Sequence, residues 1–148
     1  MSLPNKVAQV TWLTDMTFDA QMGNHHVMVD TGPPSGHDRG PSPMSLALAA
    51  LAGCTAMDVV SILQKGRQPL SGLKVRAEGE RAEDHPHRYT RVTLVYEVYG
   101  DGVDAKAVER AIALSEDKYC SVSATFREHT DIVTHYELFA GHAEASRE

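Results

Sequence analysis

The spacing of apolar residues along this chain changes from segment to segment, and each change marks a different element. Val7 to Thr14 and Phe18 to Val29 carry β-branched and aromatic residues and are broken at Asp15 and at Gly23-Asn24. Short runs of this kind joined by turn residues predict an antiparallel meander of two or three strands over residues 6–30. Residues 31–42 hold Pro33, Pro34, Gly36 and Gly40 and read as a loop. Ser42 offers a hydroxyl to the free N–H groups of a starting helix, and Pro43 suits the first helical position because it has no N–H to leave unpaired. The Ala- and Leu-rich run that follows predicts a helix over 43–65, closed by Gly66, whose missing Cβ permits a left-handed terminal conformation. Its first half, Leu46 to Cys54, is apolar on every side instead of along one stripe, so the helix is expected to be buried all round, in part by a second subunit.

From Leu73 the period becomes two. Leu73, Val75 and Ala77 alternate with Lys74, Arg76 and Glu78, and Val92, Leu94, Tyr96 and Val98 alternate with Arg91, Thr93 and Glu97. Two half-buried strands joined by the polar Glu80 to Arg88 segment predict a long hairpin over 72–99. Asp104 is placed to cap a helix over 104–118, in which Val108, Ala111, Ile112 and Ser115 recur at helical spacing, and a final strand occupies 130–139. The order is neither strict β-α alternation nor all-β, so the expected class is α+β. At 148 residues the chain suits one domain, 1–148.

The formal charge is −6 and the 14 Lys and Arg residues are scattered, which argues against a nucleic-acid partner. The first residues lack an apolar run of signal-peptide length, and the longest unbroken apolar stretch, Leu46 to Cys54, is nine residues, against roughly 18 for a bilayer span. A cytoplasmic protein with no membrane contact is therefore expected. In a reducing compartment its two cysteines are redox-active or buried thiols more readily than a permanent bridge.

Those cysteines carry the candidate chemistry. Cys54 lies in the apolar helix, where a thiol often serves as a small hydrophobe. Thr55, Asp58 and Ser61, spaced by three on the same helix, form a polar stripe that implies a cleft or a hydrogen-bonded network. Asp58 cannot activate Cys54, because a neighbouring negative charge raises a thiol pKa, and Cys54 is too deep in its helix to feel the N-terminal dipole. Cys120 follows Lys118 and precedes a short helix starting at Ser121, so its thiolate is expected to form the more easily. His25-His26 and His85-Pro86-His87 beside Asp84 lack a third ligand at metal-binding spacing, and no metal or other cofactor is expected.

The run Pro43-Met44-Ser45-Leu46-Ala47-Leu48-Ala49-Ala50-Leu51-Ala52-Gly53-Cys54, continuing as Thr55-Ala56-Met57-Asp58-Val59-Val60, resembles the OsmC/Ohr family, as does Lys118-Tyr119-Cys120-Ser121-Val122 before the final strand. The resemblance spans residues 6–139. It implies antiparallel sheets around a long buried central helix, in an intertwined homodimer with its active sites at the subunit interface. It also implies that Cys54 attacks a hydroperoxide and that Cys120 resolves the product as a disulfide, reduced in turn by an external dithiol. The chain departs from the family pattern at two points. The Glu usual ten residues before the first cysteine is Met44, and residues 1–38 contain no Arg to pair with it, which leaves Arg39 or Arg127 as substitutes. The function expected is a thiol peroxidase acting on organic hydroperoxides in stress defence. The alternatives are a non-enzymatic dimer holding a small apolar ligand at its interface, or other thiol chemistry using His129 or His135 as a base.

Overall fold

The computed structural model describes residues 2–142. They form two compact units that meet within one helix, at Ala47 and Leu48.

The first unit is the meander and its loop. Strands β1 (Gln9–Thr14), β2 (Thr17–Met22) and β3 (His25–Val29) pair antiparallel in the order β1-β2-β3. Asp15 and Gly23, the two breakers, both take positive φ, at 49° and 60°, as tight hairpins require. The loop that follows is organised by one buried carboxylate. Asp30 is 2% exposed and accepts hydrogen bonds from the Thr17 hydroxyl (2.8 Å) and from the backbone N–H groups of Thr31 (2.7 Å), His37 (3.5 Å) and Arg39 (3.2 Å). Gly36 is obligatory here, since a Cβ would lie 2.5 Å from the Asp30 carboxylate and 2.2 Å from the Thr31 carbonyl.

Helix α1 (Pro43–Lys65) starts as its sequence predicts, with Ser42 accepting from the Ser45 N–H at 3.2 Å. Its end differs by one residue: Arg67, not Gly66, takes the left-handed conformation (φ 57°). The N–H groups of Arg67 and Gln68 then bond Gln64 and Leu63, a paired closure that satisfies two terminal carbonyls. The helix is not buried on every side within the chain. Only Leu51, Thr55, Val59 and Leu63, one stripe at a spacing of four, are fully enclosed, and Met57 stays open. Counting uninterrupted apolar residues also understates this helix, which is long and apolar enough to cross a membrane by length and composition. Its buried stripe is instead packed and hydrogen-bonded within the second unit.

That unit contains β4 (Gly72–Arg81), β5 (Tyr89–Tyr99), α2 (Ala105–Leu114), a π-helical turn (Ser115–Tyr119), α3 (Ser121–Arg127) and β6 (Asp131–Phe139). The sheet order is β4-β5-β6. The hairpin β4-β5 is antiparallel, but β5 and β6 run parallel from Arg91↔Asp131 to Tyr99↔Phe139, which corrects the expectation of wholly antiparallel sheets. The reason is the connection: α2, the π-turn and α3 carry the chain back to the end of the sheet where β5 began, as a parallel pair needs. β5 is the central strand, and its alternate residues Val92, Leu94, Tyr96 and Val98 are at most 1% exposed. Each aliphatic side chain so buried contributes about 1.5–3 kcal/mol. The expected helix over 104–118 is capped by Asp104, which accepts from the Lys106 N–H, but it is α-helical only to Leu114 before widening into the π-turn.

The Asp30 cluster is a pH-sensitive element. Burial works to raise its pKa, but the hydrogen bonds from Thr31, Thr17, Arg39 and His37 together outweigh burial and hold it below the usual carboxylate value. Stability from a group shifted this way is complete above the unfolded carboxyl's pKa, roughly 3.9, and drains away as pH falls through the folded value. Asp30→Asn is expected to lower the thermal midpoint at neutral pH, with the gap to wild type narrowing as pH drops toward 3. Melting curves across that range check it, and a gap independent of pH would contradict it.

Candidate functional site

The buried stripe of α1 presents one hydroxyl among its aliphatic side chains, and that hydroxyl is fully used. Thr55 Oγ1 lies 2.7 Å from the Tyr96 hydroxyl on β5 and 2.8 Å from Ser115 Oγ in the π-turn, and Ser115 Oγ donates to Asp58 Oδ2 at 2.9 Å. Thr55, Tyr96 and Ser115 are each 0% exposed. Burial drives the Tyr96 pKa well above the ordinary tyrosine value; the Thr55 hydrogen bond lowers it, while Glu116, Cys120 and Asp58 raise it further, so its hydroxyl stays protonated. The polar stripe expected from Thr55, Asp58 and Ser61 is thus both a network and a cleft. Asp58 and Ser61 line a groove of about 350 Å³ with Ile62, Lys65, Leu114 and Tyr119.

This network fixes the two cysteines. Cys54 precedes Thr55 and is half-buried, and Cys120 is 3% exposed; both are free thiols. The Cys120 N–H closes the π-turn on the Ser115 carbonyl at 2.8 Å, and its side chain caps α3 by accepting the Ser123 N–H at 3.4 Å. So held, the Cys120 thiol lies close enough to Cys54 for that neighbour to shift its ionisation. The structure therefore brings the two sequence-predicted residues together.

It reverses the expected ease of ionisation at Cys120. Burial pushes its thiol pKa up, the Ser123 hydroxyl and N–H pull it down by less, and the adjoining Cys54 adds to the rise. Lys118, expected to help, sits over the Tyr119 ring at 5.3 Å from its centroid. The cost of desolvating a thiolate outweighs one helix N-terminus.

Arg127 lies near this site, paired with Glu116 Oε2 at 3.6 Å and also hydrogen-bonded to the Glu116 carbonyl. Glu116 Oε1 accepts from the Ser123 hydroxyl at 3.0 Å. Arg39 offers its backbone N–H to Asp30. Of the paired histidines, His26 lies 2.9 Å from Asp19, and His87 Nδ1 lies 2.9 Å from the Ala82 carbonyl in its own hairpin. Among the described residues no three His, Cys, Asp or Glu side chains are grouped to hold a metal.

Ser115, Ser123, Tyr96 and Glu116 did not stand out in the sequence as site residues. Ser115 had a detectable signal, a hydroxyl on the buried face of an amphipathic helix, which must find a partner. Ser123 had another, three residues after a cysteine at a helix start. Tyr96 reads as core, and nothing local marks Glu116.

Residues 36–135 match the family of OsmC-like proteins. The chain belongs to this family. Protein YhfA of Escherichia coli K12 is 39% identical over 133 residues, covering 90% of this chain and 98% of YhfA. Among solved structures, a hypothetical protein from Aquifex aeolicus VF5 superposes with a TM-score of 0.85 at 29% identity, covering 94% of this chain and 99% of its own. An organic hydroperoxide resistance protein OsmC from Legionella pneumophila gives 0.66 at 15% identity, covering 93% and 99%, and shares the fold.

Thr55→Val tests the network. It removes the hydroxyl that joins Tyr96 to Ser115 and leaves the buried Tyr96 hydroxyl short of a partner, so denaturant unfolding is expected to show a loss of about 1–3 kcal/mol. An unchanged midpoint would contradict this.

Proposed function

We propose that this protein is a thiol peroxidase of the stress-defence type, with Cys54 peroxidatic and Cys120 resolving. The nearness of the two free thiols carries the reading: residues far apart in the chain lie close enough for Cys54 to push the Cys120 pKa up. The difference in setting supports the assignment of roles. Cys54 is the more exposed residue, whereas Cys120 is enclosed and its thiol form is favoured by burial. The family, and the organic hydroperoxide resistance proteins sharing its fold, support hydroperoxides as the substrate class.

In this mechanism the Cys54 thiolate attacks the peroxide oxygen, the O–O bond breaks, and the alkoxide leaves as an alcohol after taking a proton. Cys54 becomes a sulfenic acid. Cys120 then attacks the Cys54 sulfur and water departs, giving a disulfide that an external dithiol of the cytoplasm reduces by exchange. We also propose a homodimer. Strand β1 is exposed throughout, including Val10, Trp12 and Leu13, and most apolar residues of α1 are only partly covered within one chain, with Met57 75% exposed.

One equivalent of an organic hydroperoxide is expected to convert both thiols into an intramolecular Cys54–Cys120 disulfide, read by intact mass and thiol counting. Cys120→Ser is expected to leave Cys54 as a trappable sulfenic acid, and Cys54→Ser to abolish peroxide consumption. Two thiols surviving prolonged exposure to several hydroperoxides would overturn the enzyme and favour an apolar-ligand carrier. Sedimentation is expected to give twice the 16.2 kDa chain mass, and a stable monomer at micromolar concentration would refute the dimer.

A further inference from the structure

Asp58 is bonded to a side chain that ties α1 to the turn before Cys120. Its Oδ2 accepts from the Ser115 hydroxyl at 2.9 Å; Ser115 Oγ lies 2.8 Å from Thr55 Oγ1, which in turn lies 2.7 Å from the Tyr96 hydroxyl. A carboxylate only accepts, so Asp58 fixes the direction of the whole chain. Ser115 spends its one proton on Asp58 and must accept from Thr55. Thr55 then has no proton left for Tyr96 and must accept from it. The hydroxyl protons of Tyr96, Thr55 and Ser115 thus all point toward Asp58. Ser115 is held by α1 at two places, at Thr55 beside Cys54 and at Asp58 one turn further on, and its own carbonyl takes the Cys120 N–H at 2.8 Å. One attachment would leave Ser115 free to swing about a single hydrogen bond, whereas two set its place on the helix.

We infer that Asp58 is a positioning residue for the thiol pair: by fixing Ser115 against α1 it sets where the π-turn delivers Cys120, and so how readily Cys120 joins Cys54. The inference rests on the proposed disulfide between these two residues. The effect is one of position, since a carboxylate beside a thiol does nothing to ionise it. Without the Asp58 bond the dithiol gains freedom that the closed disulfide cannot share, so closing the pair costs more. Exchange with glutathione measures that cost. The S–S bond of glutathione disulfide breaks as the Cys54–Cys120 bond forms; the protein gives up two electrons and two protons, and two glutathione thiols carry them away. The equilibrium constant moves only if Asp58 stabilises the disulfide and the dithiol unequally. A residue that merely supports the fold stabilises both alike and leaves the constant where it was. Asp58 is half-buried and lines the open groove beside Lys65 and Tyr119, so its truncation leaves no sealed cavity.

The equilibrium is read by intact mass on alkylated protein across glutathione redox buffers, with no peroxide present. Asp58→Ala is expected to shift it about tenfold toward the dithiol, which is about 30 mV for this two-electron couple. Asp58→Asn, whose amide oxygen still accepts the Ser115 proton, should stay close to wild type. Ser115→Ala should shift the equilibrium at least as far as Asp58→Ala, and adding Asp58→Ala to it should change nothing further, because Asp58 acts through that hydroxyl. Ser115→Ala removes the same hydrogen bond from the other side, so it decides the matter if Asp58→Ala loosens the fold. A wild-type constant in both alanine variants would overturn the inference and leave the disulfide pair standing, as would an Asp58→Asn shift as large as that of Asp58→Ala. Asp58-dependent closure in a protein that consumes no hydroperoxide would leave the positioning role standing and remove the peroxidase reading. A wild type that never closes in any buffer would overturn both.

Discussion

The position of one hydroxyl, Thr55 Oγ1, decides most of what this site is able to do. A threonine in the middle of an otherwise aliphatic buried stripe costs free energy unless its hydroxyl is bonded, and here it is bonded twice, to Tyr96 on the central strand and to Ser115 in the π-turn. Those two bonds fix the rotation of α1 against the sheet and against the turn that leads into Cys120. Because Cys54 is the neighbour of Thr55, and Cys120 closes its turn on the Ser115 carbonyl, the pairing of hydroxyls also pairs the thiols. The π-turn matters for the same reason. The widened ring places the Cys120 N–H on Ser115 and lets the chain leave in extended conformation at Cys120 to start a new helix.

The same packing sets a chemical problem. Enclosing Cys120 brings it near Cys54, but desolvation favours its protonated form. Helix α3 returns part of that cost by pointing the Ser123 N–H at the sulfur, while the Ser123 hydroxyl is bonded to Glu116. Position 44 is Met, and the carboxylate and guanidinium pair in this part of the chain is Glu116 with Arg127, joined to α3 through Ser123.

The amphipathic periods of β4, β5 and α2, the Ser42 and Asp104 caps and the hairpin turns at Asp15 and Gly23 were legible in the sequence, because each depends on residues within a few positions of one another. Both cysteines were legible for a different reason: they stand in stretches that resemble a known family. Three features were not. Helix α1 reads as apolar all round whether its faces are covered by its own chain or by another, since composition does not say which surface is met. The direction of β6 depends on a crossover whose π-turn has no local signature. The ionisation of Cys120 is not legible either, because Lys118 and the start of α3 are visible in sequence, whereas the burial that outweighs them, and the placing of Lys118 over the Tyr119 ring, arise only on folding.

On the proposed function, the two thiols join as a disulfide without rearranging the elements that carry them. A structure of the protein after stoichiometric hydroperoxide treatment tests it most directly. The account predicts sulfurs joined at about 2.05 Å, with the Thr55–Tyr96 and Thr55–Ser115 hydrogen bonds intact and α1 and α3 unmoved. Cys54 found oxidised beside a Cys120 that is still reduced and turned away, or a disulfide formed only with α3 unwound, would contradict it.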